Sequence, residues 1–194
     1  MRKEEVYKNI KYNENLINQY QNSINNLRRQ IDCLNSRINL LNSTSDQLYR
    51  QKNQLDSKIN ELEQLRRKYQ RLQEDFGQKQ AKRISTLKKN FSRTFNVDFI
   101  KSYNKGMKSL LAGNEYATTY NGLAEAIDVI TRKINSMRNN VNSIQNNISS
   151  NNRNADYNQR EINNYQNQIN NLNRDIAYRR QRINYWQNQL IYAV

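Results

Sequence analysis

Histidine and proline are absent from the 194-residue chain, and cysteine occurs once, at Cys33. Without histidine, the commonest general base and the commonest metal ligand are gone. A single cysteine excludes an internal disulfide framework and a cysteine-ligated zinc site. No other usual catalytic constellation takes their place, so the sequence reads as a non-enzyme with no cofactor and no metal. The lack of proline removes the strongest helix breaker from every position. Long apolar runs are missing too. No window nears the roughly 20 apolar residues of a membrane span, and the opening MRKEEVYKNIKYNENL has charge but no apolar h-region. The expected location is cytoplasmic, or outside the cell by a route that does not read a cleaved signal.

Hydrophobic residues make up 36% of the chain. A sphere of this composition could not bury enough apolar area to offset backbone entropy of about 1–2 kcal/mol per residue. Scattered apolar residues would then mean disorder. They are not scattered. With Ile10 as heptad position a, Ile17, Ile24, Ile31, Ile38 and Ile59 follow at a, while Leu27, Leu34, Leu41, Leu48, Leu55 and Leu62 fall at d. Asn13, Lys52, Arg66 and Gln73 run against this seam once small Ser45 is admitted. A second run starts at Ile127 and continues at a through Ile134, Val141, Ile148, Ile162, Ile169 and Ile176. Repeats this long are a coiled-coil signature.

The two arms are equally long, which predicts an all-α, elongated antiparallel helical hairpin, each arm a rod of roughly 100 Å. The segments are 1–76 for arm one, 77–126 for a basic helical head at the turn, and 127–194 for arm two. A register that places Ser45 opposite Asn158 and Lys52 opposite Asn151 lets polar groups face one another. It also sets Phe76 on Ile127, Ile17 on Trp186 and Arg179 on Ile24. Ile at a with Leu at d suits parallel dimers as well, so pairing between chains is the rival. Mid-arm, NSTSDQ (42–47) and SSNNRNAD (149–156) are poor helix formers, yet the heptad stays in phase through both.

Three of the four glycines, Gly106, Gly113 and Gly122, sit in the centre. There the pattern predicts a helix from Asn96 or Asp98 to about residue 112. Gly113 and Asn114 read as its C-terminus because both tolerate positive φ. If that helix folds back on arm one and the chain reverses at Gly113, arm two cannot return beside arm one. The helix must then lie across the tip, or the chain must turn again near Asn121–Gly122.

Net charge is +15, and residues 77–110 carry Lys79, Lys82, Arg83, Lys88, Lys89, Arg93, Lys101, Lys105 and Lys108 against Asp98 alone. A second basic cluster is Arg174, Arg179, Arg180 and Arg182. Such patches attract nucleic acid, anionic lipid or an acidic protein. Cys33 falls at a c position, which predicts an exposed, unpaired thiol.

The mid-chain SYNKGMKSLLAGNEYATTYNGLAEAI between heptad arms, with the tail YRRQRINYWQNQLIYA, resembles the small helical partner proteins encoded beside LXG polymorphic toxins in Gram-positive bacteria. Those proteins are related in plan to WXG-type helical hairpins. The resemblance implies binding to the helical N-terminal domain of the toxin and delivery of the complex to a type VII secretion system. The chain lacks a Trp-x-Gly turn; LAG at 111–113 is the nearest equivalent. The expected function is thus a non-enzymatic targeting or chaperone protein. Its candidate contact residues are Lys79, Lys82, Arg83, Lys88, Lys89, Arg93, Tyr103, Tyr116, Tyr120 and Trp186. A second small helical protein is a further candidate partner. The alternatives are a basic nucleic-acid-binding coiled coil and a self-assembling structural coiled coil.

Overall fold

The computed structural model describes residues 2–91 and 98–191, and they form an all-α helical hairpin. Helix α1 runs Lys3–Phe91, α2 Asp98–Ala112 and α3 Asn114–Leu190. Helix α1 passes residue 76 and α3 passes residue 126 without a break, so neither arm ends where the heptad reading divides the chain. Both polar mid-arm stretches are fully helical. Acidic Glu4 and Glu5 in the first turn of α1, and Lys88 and Lys89 in its last, complement the helix dipole.

Two compact units divide the fold. One joins Met1–Leu48 to Asn146–Val194; the other is Tyr49–Gln145. In each, α1 and α3 pack antiparallel along the seven-residue seam. Every described a and d position from Ile10 to Phe76, and from Ile127 to Leu190, is shielded at least in part. The most buried apolar residues are Val6, Ile24, Ile59, Ile134, Ile148, Ile162 and Ile176. Apart from Val6, all are isoleucines at a. A pair of helices can enclose one stripe and no more, which is why the leucines at d stay half-buried.

The cross-helix contacts follow the register that pairs polar groups only in part. In the first unit, Arg179 Nη1 donates to Asn13 Oδ1 at 3.4 Å instead of facing Ile24. In the second, Phe76 stacks on Tyr116 instead of Ile127, with ring centroids 5.0 Å apart. Both contacts join residues eleven positions away from the expected partner, roughly 16 Å along a helix, whereas Arg138–Glu63 and the groove shared by Ile24 and Ile176 fall within two or three positions of it. Some of the residues that run against the seam find partners of their own. Asn13 serves Arg179 and also donates its amide to the Asn9 carbonyl at 2.7 Å. Lys52 reaches out of the seam to Asp56 on its own helix, 3.2 Å away, and not across to Asn151. Ser45 gains no cross-helix partner: its Oγ is buried without a hydrogen bond, as are Arg66 Nε and Arg179 Nε.

The centre also departs from expectation. Helix α2 begins at Asp98 and ends at Ala112 as the sequence predicts, but Gly113 does not reverse the chain. No described residue has a positive φ. Helix α3 starts at once, with the Gly113 carbonyl accepting from Ala117 N–H at 3.2 Å. Because α2 already runs antiparallel to the last turns of α1, no reversal at Asn121–Gly122 is needed. Gly113 is required for space. A Cβ there would sit 2.0 Å from the Ser109 carbonyl oxygen, far inside contact distance.

These features separate three substitutions by sign. Gly113→Ala should destabilise the fold by about 1–3 kcal/mol, the cost of overpacking. Gly122→Ala, with nothing within 4 Å of the new methyl, should stabilise it by about 0.5–1 kcal/mol. Ser45→Ala removes an unsatisfied hydroxyl and should add about 1 kcal/mol. Urea unfolding followed by far-UV circular dichroism measures all three.

Candidate binding surface

An antiparallel helix pair has two flanks. On one, the e and b positions of both helices meet; on the other, the g and c positions meet. Both flanks are visible as grooves in the first unit. Gln21, Asn25 and Arg28 face Asn173, Ala177 and Arg180 along the first. Ser23 and Asn26 face Gln168 and Asn171 along the second.

The two flanks differ in chemistry. Position b is filled by residues such as Asn25, Asn39, Asn53 and Asn60 in α1 and Asn135, Asn142, Asn163 and Asn170 in α3. Exposed apolar side chains gather on the other flank. In the first unit these are Tyr12, Leu40, Tyr157, Tyr178 and Tyr185; in the second they are Leu65, Leu72 and Val129. Tyr49 and Tyr7, at e, and Ile191, at b, are the exceptions among the described heptad flanks. An apolar side chain at g or c does not contribute to the α1–α3 seam, so its exposure is not a by-product of pairing. Leu72 is 55% exposed and Val129 52%.

Toward the turn, the apolar flank of the second unit deepens into a groove. Phe76 and Tyr116 form its floor, with Leu110 and Leu111 from α2 beside them and Lys79, Arg83 and Glu115 at its edges. It continues past Arg83 to Leu87 and Met107, bordered by Lys82. Two glutamines at a positions brace this region. Gln73 Nε2 donates to the Tyr120 carbonyl at 3.3 Å, and Gln80 Nε2 to the Leu111 carbonyl at 2.9 Å. The second bond matters because α2 stops at Ala112, and a helix's last carbonyls lack intrahelical donors. Gln73, polar in an apolar seam, is therefore a backbone clamp.

The sequence-predicted contact residues fall into separate places. Lys79, Lys82 and Arg83 share the groove. Lys88 lies on the opposite side of α1, beside Ile84 and Lys108, so the basic cluster is split between two faces. Lys89 is exposed. Arg93 lies outside the described residues. Tyr103 is exposed on α2. Tyr116 stacks between Phe76 and Tyr120, whose centroid is 5.8 Å from its own, so its ring is a structural element of the floor. Trp186 belongs to the other unit, where Tyr185 meets it edge-on at 5.2 Å and the Arg182 guanidinium lies 5.5 Å from its ring centre. Leu65, Leu72, Val129 and Met107 are the contact candidates that the sequence reading missed. For Leu65, Leu72 and Val129 the signal was present in the heptad, as apolar residues at g and c in otherwise polar flanks; Met107, on α2, has no heptad position.

Among the described residues there is no cluster of metal-binding side chains, and no helix is long and apolar enough to cross a membrane. Cys33 is exposed and free, as its c position predicts. Gln80→Ala should cost about 1 kcal/mol by removing a donor from the Leu111 carbonyl. Gly77→Ala should stabilise by about 0.5–1 kcal/mol, because its methyl would meet the Tyr120 ring at an ordinary 3.7 Å. Thermal unfolding of both variants separates a clamp from a spacer. Compared with protein-family models, curated proteins and solved structures, the chain finds no match.

Proposed function

We propose that this protein is a non-enzymatic targeting or chaperone partner that packs on the helical N-terminal domain of an LXG-type toxin for type VII secretion. The observation that carries this reading is the one-sided placement of off-seam apolar residues. A helix pair with one polar flank and one apolar flank is an incomplete bundle. Further helices laid on the apolar flank bury leucines and tyrosines that the hairpin alone leaves in water, at about 25 cal/mol per Å² of apolar area. The family-like centre and tail quoted above name the partner class, and the basic residues near the turn suit an acidic surface on it.

The nucleic-acid alternative draws on the +15 charge. Of the rings near those cations, Tyr116 is already engaged by Phe76 and Tyr120, while Tyr103 on α2 is exposed. The exposed leucines of the apolar flank, Leu65 and Leu72, are what favour a protein partner over a nucleic acid.

Co-expression of the chain with the helical domain of a toxin encoded beside it, followed by affinity capture, tests the proposal. A stoichiometric complex that melts at a higher temperature than either component is expected. Absence of a complex at micromolar concentrations overturns it. Binding to a DNA or RNA duplex that collapses with added salt and is lost on charge removal at Lys82, Arg83, Lys88 and Lys89 would favour the alternative instead.

A further inference from the structure

We infer that the apolar flank of the second unit, from Leu65 to Leu87, is a docking groove for one amphipathic helix with acidic flanks. This deepens the functional reading above and rests on it for the partner's class, though not for the groove itself. Three observations combine. First, the flank has an apolar floor along its length: Leu65 and Leu72 are exposed, and Phe76, Tyr116 and Met107 lie half-buried beyond them. From Leu65 to Leu87 is about 33 Å of helix at 1.5 Å per residue, so a partner helix of about 22 residues matches it.

Second, the rim is mostly cationic. Lys58, Lys68, Lys79, Lys82, Arg83 and Lys133 border the flank, against the acids Glu61, Asp75 and Glu115. Arg83 occupies a d position, where an apolar residue would have closed the seam. It is exposed, and no described carboxylate lies within ion-pair distance of it. Lys79 and Lys82 are likewise exposed without an ion pair among the described residues. Charges placed along an apolar groove without internal partners fit an incoming helix whose acidic side chains flank its leucine face.

Third, the rim argues against the other occupants. Two copies meeting through this flank would bring one cationic border against the same border of the other, which like-charge repulsion opposes. A nucleic acid would meet a leucine floor and a tyrosine already stacked. The opposite flank of the unit lacks a comparable apolar run, and its Glu63 and Arg138 already pair with each other across the helices.

The test uses the full chain and a labelled synthetic helix of about 22 residues, with leucine at i, i+3, i+4 and i+7 and glutamate on both sides of that stripe. A counterpart with lysine in place of glutamate serves as the control. Fluorescence anisotropy should show binding of the acidic peptide and at least about tenfold weaker binding to Leu72→Ser and to Arg83→Glu, a loss typical of a central contact. Lys88→Glu, on the other side of α1, should bind unchanged. Both substituted side chains are exposed, and far-UV circular dichroism confirms that the variants keep their helix content. No binding of the acidic peptide, equal binding of the basic one, or indifference to Leu72→Ser overturns the groove. So does light scattering that shows a dimer dissolved by Leu72→Ser, because the occupant is then a second copy. The two readings fail separately. If the toxin domain does not bind while the acidic peptide behaves as described, the partner class falls and the groove stands. If the toxin domain binds and neither variant weakens it, the groove falls and the partner class stands.

Discussion

The isoleucines at position a hold this protein together, and most other features are consequences of how little else there is. With 36% hydrophobic residues, the chain can bury a stripe but not a globular core. A seven-residue spacing keeps that stripe on one side of a slightly underwound helix, so two such helices can remain in contact over their length. Ile148 and Ile134 are almost wholly enclosed, and their branched side chains fill a helix–helix gap that a polar residue could not. Where the stripe contains a polar group, each case is met differently. Lys52 leaves the seam for Asp56, and Asn13 meets Arg179. Ser45 finds nothing and remains a weak layer.

The heptad made the helices, their antiparallel return and the buried isoleucines legible from the sequence. It could not settle the register, for a physical reason. Sliding one arm by seven residues still sets isoleucine against leucine, so the repeat is degenerate with respect to its own period. The choice falls to contacts that do not repeat. Phe76 on Tyr116 and Gln73 on the Tyr120 carbonyl are such contacts, and they lie where the regular pattern ends. Pairing the polar exceptions with one another was a reasonable substitute, yet Lys52 satisfies itself within one helix, which no cross-helix matching can anticipate.

The role of Gly113 was misread as a chain reversal. A glycine followed by asparagine suggests a left-handed residue and a reversal, but this glycine answers a close approach to the Ser109 carbonyl. The chain bends and carries on. Of the candidate surface, the lysines and Arg83 were visible as charge, while the leucines at g and c were hidden by their small number among polar neighbours. Lys88 parted from Lys82 and Arg83 because five or six residues along a helix turn a side chain toward another face. Such separations can be read from helical spacing, provided each cation is placed on the wheel before the cations are grouped.

The hairpin's connectivity governs the order in which it can assemble. The Gln80–Leu111 bond joins residues 31 apart, whereas Arg179–Asn13 joins residues 166 apart. Closing the longer loop first would cost about 1.5 kcal/mol more in chain entropy than closing the shorter one, so the zipper starts beside the turn and travels toward the chain ends. During synthesis the whole of α1 emerges before α3 exists to meet it. Its naked isoleucine edge must wait on the ribosome for a mate that arrives last.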